Sequence, residues 1–163
     1  MGSDIRVGIG QDSHAFVKKG SKKLILGGIE IPDEKGIEAN SDGDVILHSL
    51  FNALSQAVGE KSLGFYAEPM FKKGITDSRE FLKTAKKLVN DKGYKVNNIG
   101  IMFEGKKPRI DNYVDNMKKT IAKLLEIKEE QIGITATSGE NLTSFGKGKG
   151  IQVFSIVSLI KKN

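Results

Sequence analysis

This chain of 163 residues contains two histidines, and an aspartate stands close to each of them. In "GIGQDSHAF", residues 8–16, Asp12 precedes His14 by two positions; in "NSDGDVILHSL", residues 40–50, Asp44 precedes His48 by four. If the first strand continues through Gln11, its period of two turns Asp12 and His14 to one face, the face left bare by Gly8 and Gly10. An imidazole and a carboxylate in that relation can share one zinc, which takes nitrogen and oxygen ligands at about 2.0–2.2 Å, and the glycines would let a ligand approach the backbone. The same D-x-H also fits a turn at a strand end. Asp44 and His48 lie one helical turn apart, beside an apolar stripe of Leu47, Leu50 and Leu54. His48 can then supply a third ligand and leave the fourth tetrahedral position open, as in catalytic zinc sites, with Asp44 orienting its ring. A surface i,i+4 pair is the other reading.

Two further stretches have the chemistry of phosphate binding. "SFGKGKGI" alternates Gly146, Gly148 and Gly150 with Lys147 and Lys149, offering backbone N–H groups and two cations; taken alone, a tight turn into the last strand is the plainer reading. "TATSGEN" places Thr137, Ser138, Gly139 and Glu140 in succession at a strand end, where hydroxyls and backbone can hold phosphate oxygens and Glu140 a bridging Mg²⁺. A plain Ser/Thr turn is the alternative. "GIGQDS" lacks the full dinucleotide fingerprint, and "SDGD" lacks the calcium-loop spacing.

Positioning these groups falls to a regular set of elements. "DIRVGIG" alternates Val7 and Ile9 with Arg6, Gly8 and Gly10, the period of a half-buried strand. "KLILGGIEIP" reads as a hairpin turning at Gly27-Gly28, with Pro32 ending its second arm. A helix capped by Ser41 or Asp42 runs to about Val58. A second starts at "DSRE", where Asp77 and Glu80 resemble a capping box, and runs to Gly93. A third carries Ile110, Val114, Met117, Ile121 and Leu124. "NNIGIMF", "IGITAT" and "IQVFSIVSLI" read as strands, and residues 59–74 as a mobile loop. The order predicts a single α/β (α+β) domain over residues 1–163, a mixed β-sheet covered on one face by helices, with an N-terminal β-hairpin.

Composition narrows the function classes. Without cysteine there are no disulfides or thiolate metal sites. The longest apolar run falls far short of the ~20 residues of a membrane helix, and "MGSDIR" has no lipidation signal, so the expected address is cytoplasmic, with no membrane partner. The formal charge of +6 is spread along the chain, which argues for no nucleic acid and suits an acidic, phosphorylated small molecule.

Taken together, "RVGIGQDSHAF", "LILGGIEIP", "SDGDVILH", "DSREFL" and "GKGKGI" closely resemble the 2-C-methyl-D-erythritol 2,4-cyclodiphosphate synthase family, over nearly the whole chain. The resemblance implies a homotrimer with active sites between subunits, possessing a zinc (or another divalent ion) on Asp12, His14 and His48 and a Mg²⁺ or Mn²⁺ at the diphosphate on Glu140. It implies a CDP-linked methylerythritol 2-phosphate as substrate, whose 2-phosphate attacks the β-phosphorus to form the cyclic diphosphate and release CMP, in the non-mevalonate isoprenoid pathway. It further implies catalytic positions at Asn40 and Ser138, substrate contacts at Ser13, Ser41, Thr137, Gly139, Lys147, Pro108 and Arg109, and an isoprenoid diphosphate as a further partner on the trimer axis.

This chain departs from the family pattern at several points. Asn40 stands where the family has histidine, Lys147 where it has arginine and Arg109 where it has lysine; "GEKS" replaces G-D-I-G, leaving Glu60 as the local acid, "YAEP" lacks F-P-D, and "SGEN" replaces a threonine-rich run. These differences keep open a catalytically impaired metal and nucleotide-diphosphate binding module, and a zinc hydrolase that uses water as nucleophile.

Overall fold

The computed structural model describes residues 4–162; the reading of Met1–Ser3 as free of a lipidation signal lies outside them. Four strands form the main sheet: β1 (Ile5–Ala15), β6 (Gly150–Lys161), β4 (Tyr94–Glu104) and β5 (Ile132–Thr137), in that spatial order. β6 runs antiparallel to both β1 and β4, and β5 pairs parallel to β4, so the sheet is mixed as predicted. β2 (Lys23–Leu26) and β3 (Ile29–Lys35) form a separate hairpin turning at Gly27-Gly28. The second arm does not stop at Pro32: in a two-stranded ribbon β3 has an open edge, where the missing proline N–H costs no ladder bond.

Helix α1 (Val45–Ala57) lies against β1 and β6 and builds the core with α3 (Ser78–Asp91). β1 faces that core with its glycines. A Cβ on Gly10 would sit 1.9 Å from the Ser49 carbonyl oxygen, and one on Gly8 would sit 2.1 Å from that of Ala53. The bare face therefore exists so that a helix can lie on it, not so that a ligand can. Val7 and Ile9 point the other way and are 61% and 54% exposed. With Met102, Phe154 and Ile156 they make an apolar surface on the face no helix covers. Gly10→Ala is expected to force α1 off the sheet and to destabilise the fold by about 3 kcal/mol, read as a fall in the urea midpoint.

Two helix starts and one capping arrangement differ from expectation. Asp44, not Ser41 or Asp42, caps α1, its Oδ1 accepting from Leu47 N–H at 3.0 Å. Asp77 caps α3 but accepts from Arg79 N–H at 2.9 Å, while Glu80 turns to Lys83 at 2.7 Å, so no reciprocal box forms. The third helix, α4 (Val114–Leu125), starts after Ile110, which precedes a single 3₁₀ turn at Asp111–Tyr113.

The largest correction concerns residues 59–74, expected to be a mobile loop. They contain α2 (Leu63–Phe71), a nine-residue helix despite Gly64 and Pro69. Tertiary packing outweighs its poor propensity. Asn52 Oδ1 accepts from Leu63 N–H at 2.9 Å, Ala67 is buried, and the rings of Tyr66 and Phe71 each stand 5.6 Å from a core phenylalanine, Phe51 and Phe81.

Candidate metal centre

β1 extends through Ala15, so its period of two does put Asp12 and His14 on one face, next to α1. His48, on the first turns of α1 and 6% exposed, meets them there. Asp12 Oδ2 lies 3.0 Å from His48 Nδ1 and 3.3 Å from His14 Nε2. Among the described residues this is the one group of three metal-ligating side chains whose donor atoms lie within 4.8 Å of one another. The electrostatics match. Burial works to raise the Asp12 pKa, but hydrogen bonds from both imidazoles and their positive charge overcome it and bring Asp12 down to about 2. The Asp12 hydrogen bond raises the His14 pKa against the opposing effect of burial. A carboxylate that is ionised at any ordinary pH, flanked by two imidazole nitrogens, is a donor set suited to a divalent cation. Metal binding must displace the proton that Asp12 helps hold on His14. Apparent affinity, measured by chelator competition, is therefore expected to fall about tenfold per pH unit below the raised His14 pKa.

A cavity of about 320 Å³ opens over the three side chains, walled by Asn40, Ser41 and Asn52 and by Ser62, Leu63 and Ala67 at the start of α2. The stretch expected to be a loop is thus one wall of the pocket. The opposite wall is held by Lys22, whose Nζ donates to the carbonyls of Ala39 at 3.0 Å and Ser41 at 2.8 Å, the two residues flanking Asn40. Burial lowers the Lys22 pKa, opposed by the nearby Asp42. No local sequence signal marks Lys22.

Asp44 does not orient His48. Its carboxylate is fully buried and accepts from the backbone N–H groups of Gly27 at 2.9 Å, Gly28 at 2.6 Å and Leu47 at 3.0 Å, tying the β2–β3 turn to the start of α1. The group that reaches the far nitrogen of His48 is Ser78, the first residue of α3, whose Oγ lies 2.8 Å from Nε2. Ser41 Oγ is 3.3 Å from the same nitrogen. Ser78 was read only as part of a helix start, because its contact with His48 spans 30 residues and leaves no local pattern.

The remaining candidates gather elsewhere. Ser13 points to the opposite sheet face, in register with Gln152. Thr137, Ser138, Gly139 and Glu140 form an exposed turn at the end of β5, in which Thr137 Oγ1 accepts from Gly139 N–H and Ser138 Oγ from Glu140 N–H, both at 3.2 Å. Asp12, Val153, Phe103 and Ala136 share one row across the sheet. The Thr137–Glu140 turn therefore lies three strand spacings, about 14 Å, from Asp12, at the opposite edge. Lys147 lines a separate cavity of about 410 Å³ with Lys106, Lys107, Asp33 and Glu34. Pro108, buried, follows a cis peptide bond, and Arg109 next to it is exposed. Close packing accounts for two glycines of "GKGKG": a Cβ on Gly146 would meet the Gly139 carbonyl oxygen at 2.5 Å, and one on Gly150 that of His14 at 2.1 Å. Glu60 stays out of the metal cavity, accepting from Tyr66 Oη at 2.6 Å and pairing with Lys92 at 3.0 Å.

A mixed sheet with helices on one face and an Asp/His/His cluster between its edge strand and the first helix defines an α+β class of candidate metal-dependent proteins. Within it, the chain belongs to the YgbB family, whose family model matches residues 5–160. The 2-C-methyl-D-erythritol 2,4-cyclodiphosphate synthase of Chlamydia muridarum is 41% identical over 158 residues, spanning 96% of this chain and 88% of that protein. The CDP complex of IspF from Plasmodium falciparum superimposes with a TM-score of 0.84 at 34% identity, covering 98% of this chain and 97% of that one. The bifunctional IspDF of Campylobacter jejuni gives a TM-score of 0.90 at 32% identity; this chain matches over 99% of its own length and spans 44% of that protein.

Proposed function

We propose that this chain converts 4-CDP-2-C-methyl-D-erythritol 2-phosphate to 2-C-methyl-D-erythritol 2,4-cyclodiphosphate with release of CMP, as a metal-dependent phosphorus–oxygen lyase of the non-mevalonate isoprenoid pathway, in the cytoplasm. The observation that carries this reading is the convergence of Asp12, His14 and His48 beneath an open polar pocket, in a chain whose relatives bear that activity as their name. Asp12, His14 and His48 hold a zinc or similar ion. Glu140 holds a Mg²⁺ or Mn²⁺ at the diphosphate. Divalent ions there, when bound, supply Lewis acidity and neutralise phosphate charge. The protein's own part is positioning: the substrate's 2-phosphate oxygen bonds to the β-phosphorus as the bond to the bridging oxygen breaks, and CMP leaves with that oxygen. Asn40 and Ser41 line the side of the pocket where a phosphate would rest on the metal cluster, and Asn40 offers an uncharged N–H donor there.

The separation of Asp12 from Glu140 within one chain supports a shared site. Groups at opposite sheet edges serve one substrate only when a second copy brings its Thr137–Glu140 turn to the first copy's pocket. The exposed apolar face of Val7, Ile9, Met102, Phe154 and Ile156 is what a homotrimer would bury, and its axis is the place for an isoprenoid diphosphate. Ser138, Thr137, Gly139, Lys147, Pro108 and Arg109 would then reach the diphosphate and cytidine from the neighbour, while Ser13 faces the sheet side that the assembly covers.

The test is CMP release from the CDP-linked substrate by purified protein in water enriched in ¹⁸O. One CMP and one cyclic diphosphate per substrate, without label, are expected. Label in the product means hydrolysis. Binding without turnover means the impaired module, a reading favoured by Asn40 and by the engagement of Glu60 with Tyr66 and Lys92. An Asn40→His variant that gains turnover would assign the impairment to that position.

A further inference from the structure

His48 can give a metal only one of its two nitrogens, and two residues that touch no metal decide which one. Nδ1 lies 3.0 Å from Asp12 Oδ2; Nε2 lies 2.8 Å from Ser78 Oγ. A serine hydroxyl has one proton to give. Ser78 donates it to Asp42 Oδ1, while its backbone N–H goes to Asp42 Oδ2 at 3.0 Å. Asp42 is itself fixed: Asp44 N–H donates to its Oδ1 at 3.1 Å, and its own N–H donates to the Thr76 carbonyl at 3.0 Å. With its proton committed, Ser78 Oγ can only accept, and at 2.8 Å it is a closer partner of Nε2 than Ser41 Oγ at 3.3 Å, so the hydrogen sits on His48 Nε2. Nδ1 then turns a lone pair toward the Asp12 carboxylate. Two acceptors 3.0 Å apart repel unless a cation lies between them: a proton in the metal-free protein, or the metal ion that replaces it.

We propose that Asp42 and Ser78 form a positioning relay that fixes the tautomer and ring orientation of His48, and so sets the affinity of the Asp12/His14/His48 cluster for its metal. The inference rests on reading that cluster as a metal site. Burial makes the relay stiff: Ser78 is completely buried and His48 nearly so, and the ring packs 6.1 Å from Phe81 in the next turn of α3. The arrangement is a carboxylate–histidine–metal triad with a serine inserted. The carboxylate comes from the loop before α1 and the serine from α3, so the first turn of each helix is locked to the other through the ring.

Two measurements test it. In zinc-loaded protein, long-range ¹H–¹⁵N correlation spectra of the histidines are expected to show His48 bound through Nδ1 with its hydrogen on Nε2, and in Ser78→Ala a mixture of Nδ1-bound and Nε2-bound rings. Chelator competition with Zn²⁺ is expected to show Ser78→Ala binding about 10–100-fold more weakly than the native protein, with Ser78→Thr, which keeps the hydroxyl, restored to within about threefold. Asp42→Asn, which can turn an N–H toward Ser78 and free the hydroxyl proton, is expected to move the tautomer the same way as Ser78→Ala, and it covers the case in which that variant fails to fold. An Nδ1–H tautomer in the native protein, or unchanged zinc affinity in folded Ser78→Ala, overturns the relay. Native protein that binds no zinc overturns the metal reading instead, and with it the role assigned to the relay.

Discussion

Replacing Asp12 by alanine is expected to strip the metal from the protein and lower CMP release by at least about 10³-fold while leaving the fold intact. Asp12 is the hub of the cluster: both imidazoles meet its Oδ2, and it is the one anionic member. Without it, two neutral ligands remain on a strand and a helix whose separation the fold dictates, and nothing offsets the dication's charge. The low pKa of Asp12, about 2, means that the carboxylate is fully ionised wherever the enzyme would work. Asp12→Asn is expected to behave nearly as Asp12→Ala, because an amide keeps the shape but not the charge. The fold should survive, since the Asp12 side chain is 20% exposed and lies outside the apolar core, and His48 keeps its contact with Ser78. Metal per chain by plasma emission, CMP release and the thermal midpoint are the three measurements. Turnover within tenfold of native, with metal absent, would break the link between this cluster and the reaction.

How much of this was legible in the sequence depends on the range of the interaction concerned. The strand–helix placement of Asp12, His14 and His48 follows from two periodicities, two along β1 and 3.6 along α1, both set by nearby residues. The hairpin at Gly27-Gly28 is equally local. What periodicity does not contain is which partner lies on each face. The alternation of Val7 and Ile9 with glycine reads as an apolar face turned inward, yet the helix takes the glycine face because only there can its backbone come within contact of the strand. α2 was missed for a related reason: Gly64 and Pro69 argue against a helix, and the aromatic contacts that hold it come from α1 and α3.

The candidate site divides in the same way. Its metal-ligating half is legible because each piece is a short motif. The half that would hold the diphosphate and nucleotide, Thr137 to Glu140 with Lys147 and Arg109, has motifs too, but sheet order places it at the far edge from Asp12. No reading of one chain's periodicity can join the two halves, because sheet order holds them apart within the chain and in the proposed homotrimer the join would belong to the packing of one copy against another. The apolar face left open by α1, α3 and α4 is the physical reason to expect such packing: β1, β6 and β4 each direct large apolar side chains into it.

Asp44→Ala separates a structural carboxylate from a functional one. From its spacing, Asp44 was expected to orient His48, and on that reading its loss would weaken metal binding and leave stability nearly untouched. The structure implies the reverse. Asp44 accepts three backbone N–H bonds, from Gly27, Gly28 and Leu47, in a site without solvent access. Removing it orphans all three donors at about 1–3 kcal/mol each, discounted because the hairpin turn can relax toward water and because a buried charge is relieved at the same time. A net loss of about 4 kcal/mol is expected from urea unfolding, among the largest for any single position in the chain. Burial also raises the Asp44 pKa from 3.8 to about 6, against the pull of those donors. A raised folded-state pKa contributes stability that is present below 3.8 and lost as pH rises through about 6. The stability gap between native protein and Asp44→Ala should therefore narrow as pH rises across that window. Zinc affinity of the folded fraction should stay within about threefold of native, because the His48 ring is held by Ser78 and not by Asp44. A variant that keeps its stability but loses its metal would return Asp44 to the role its spacing first implied.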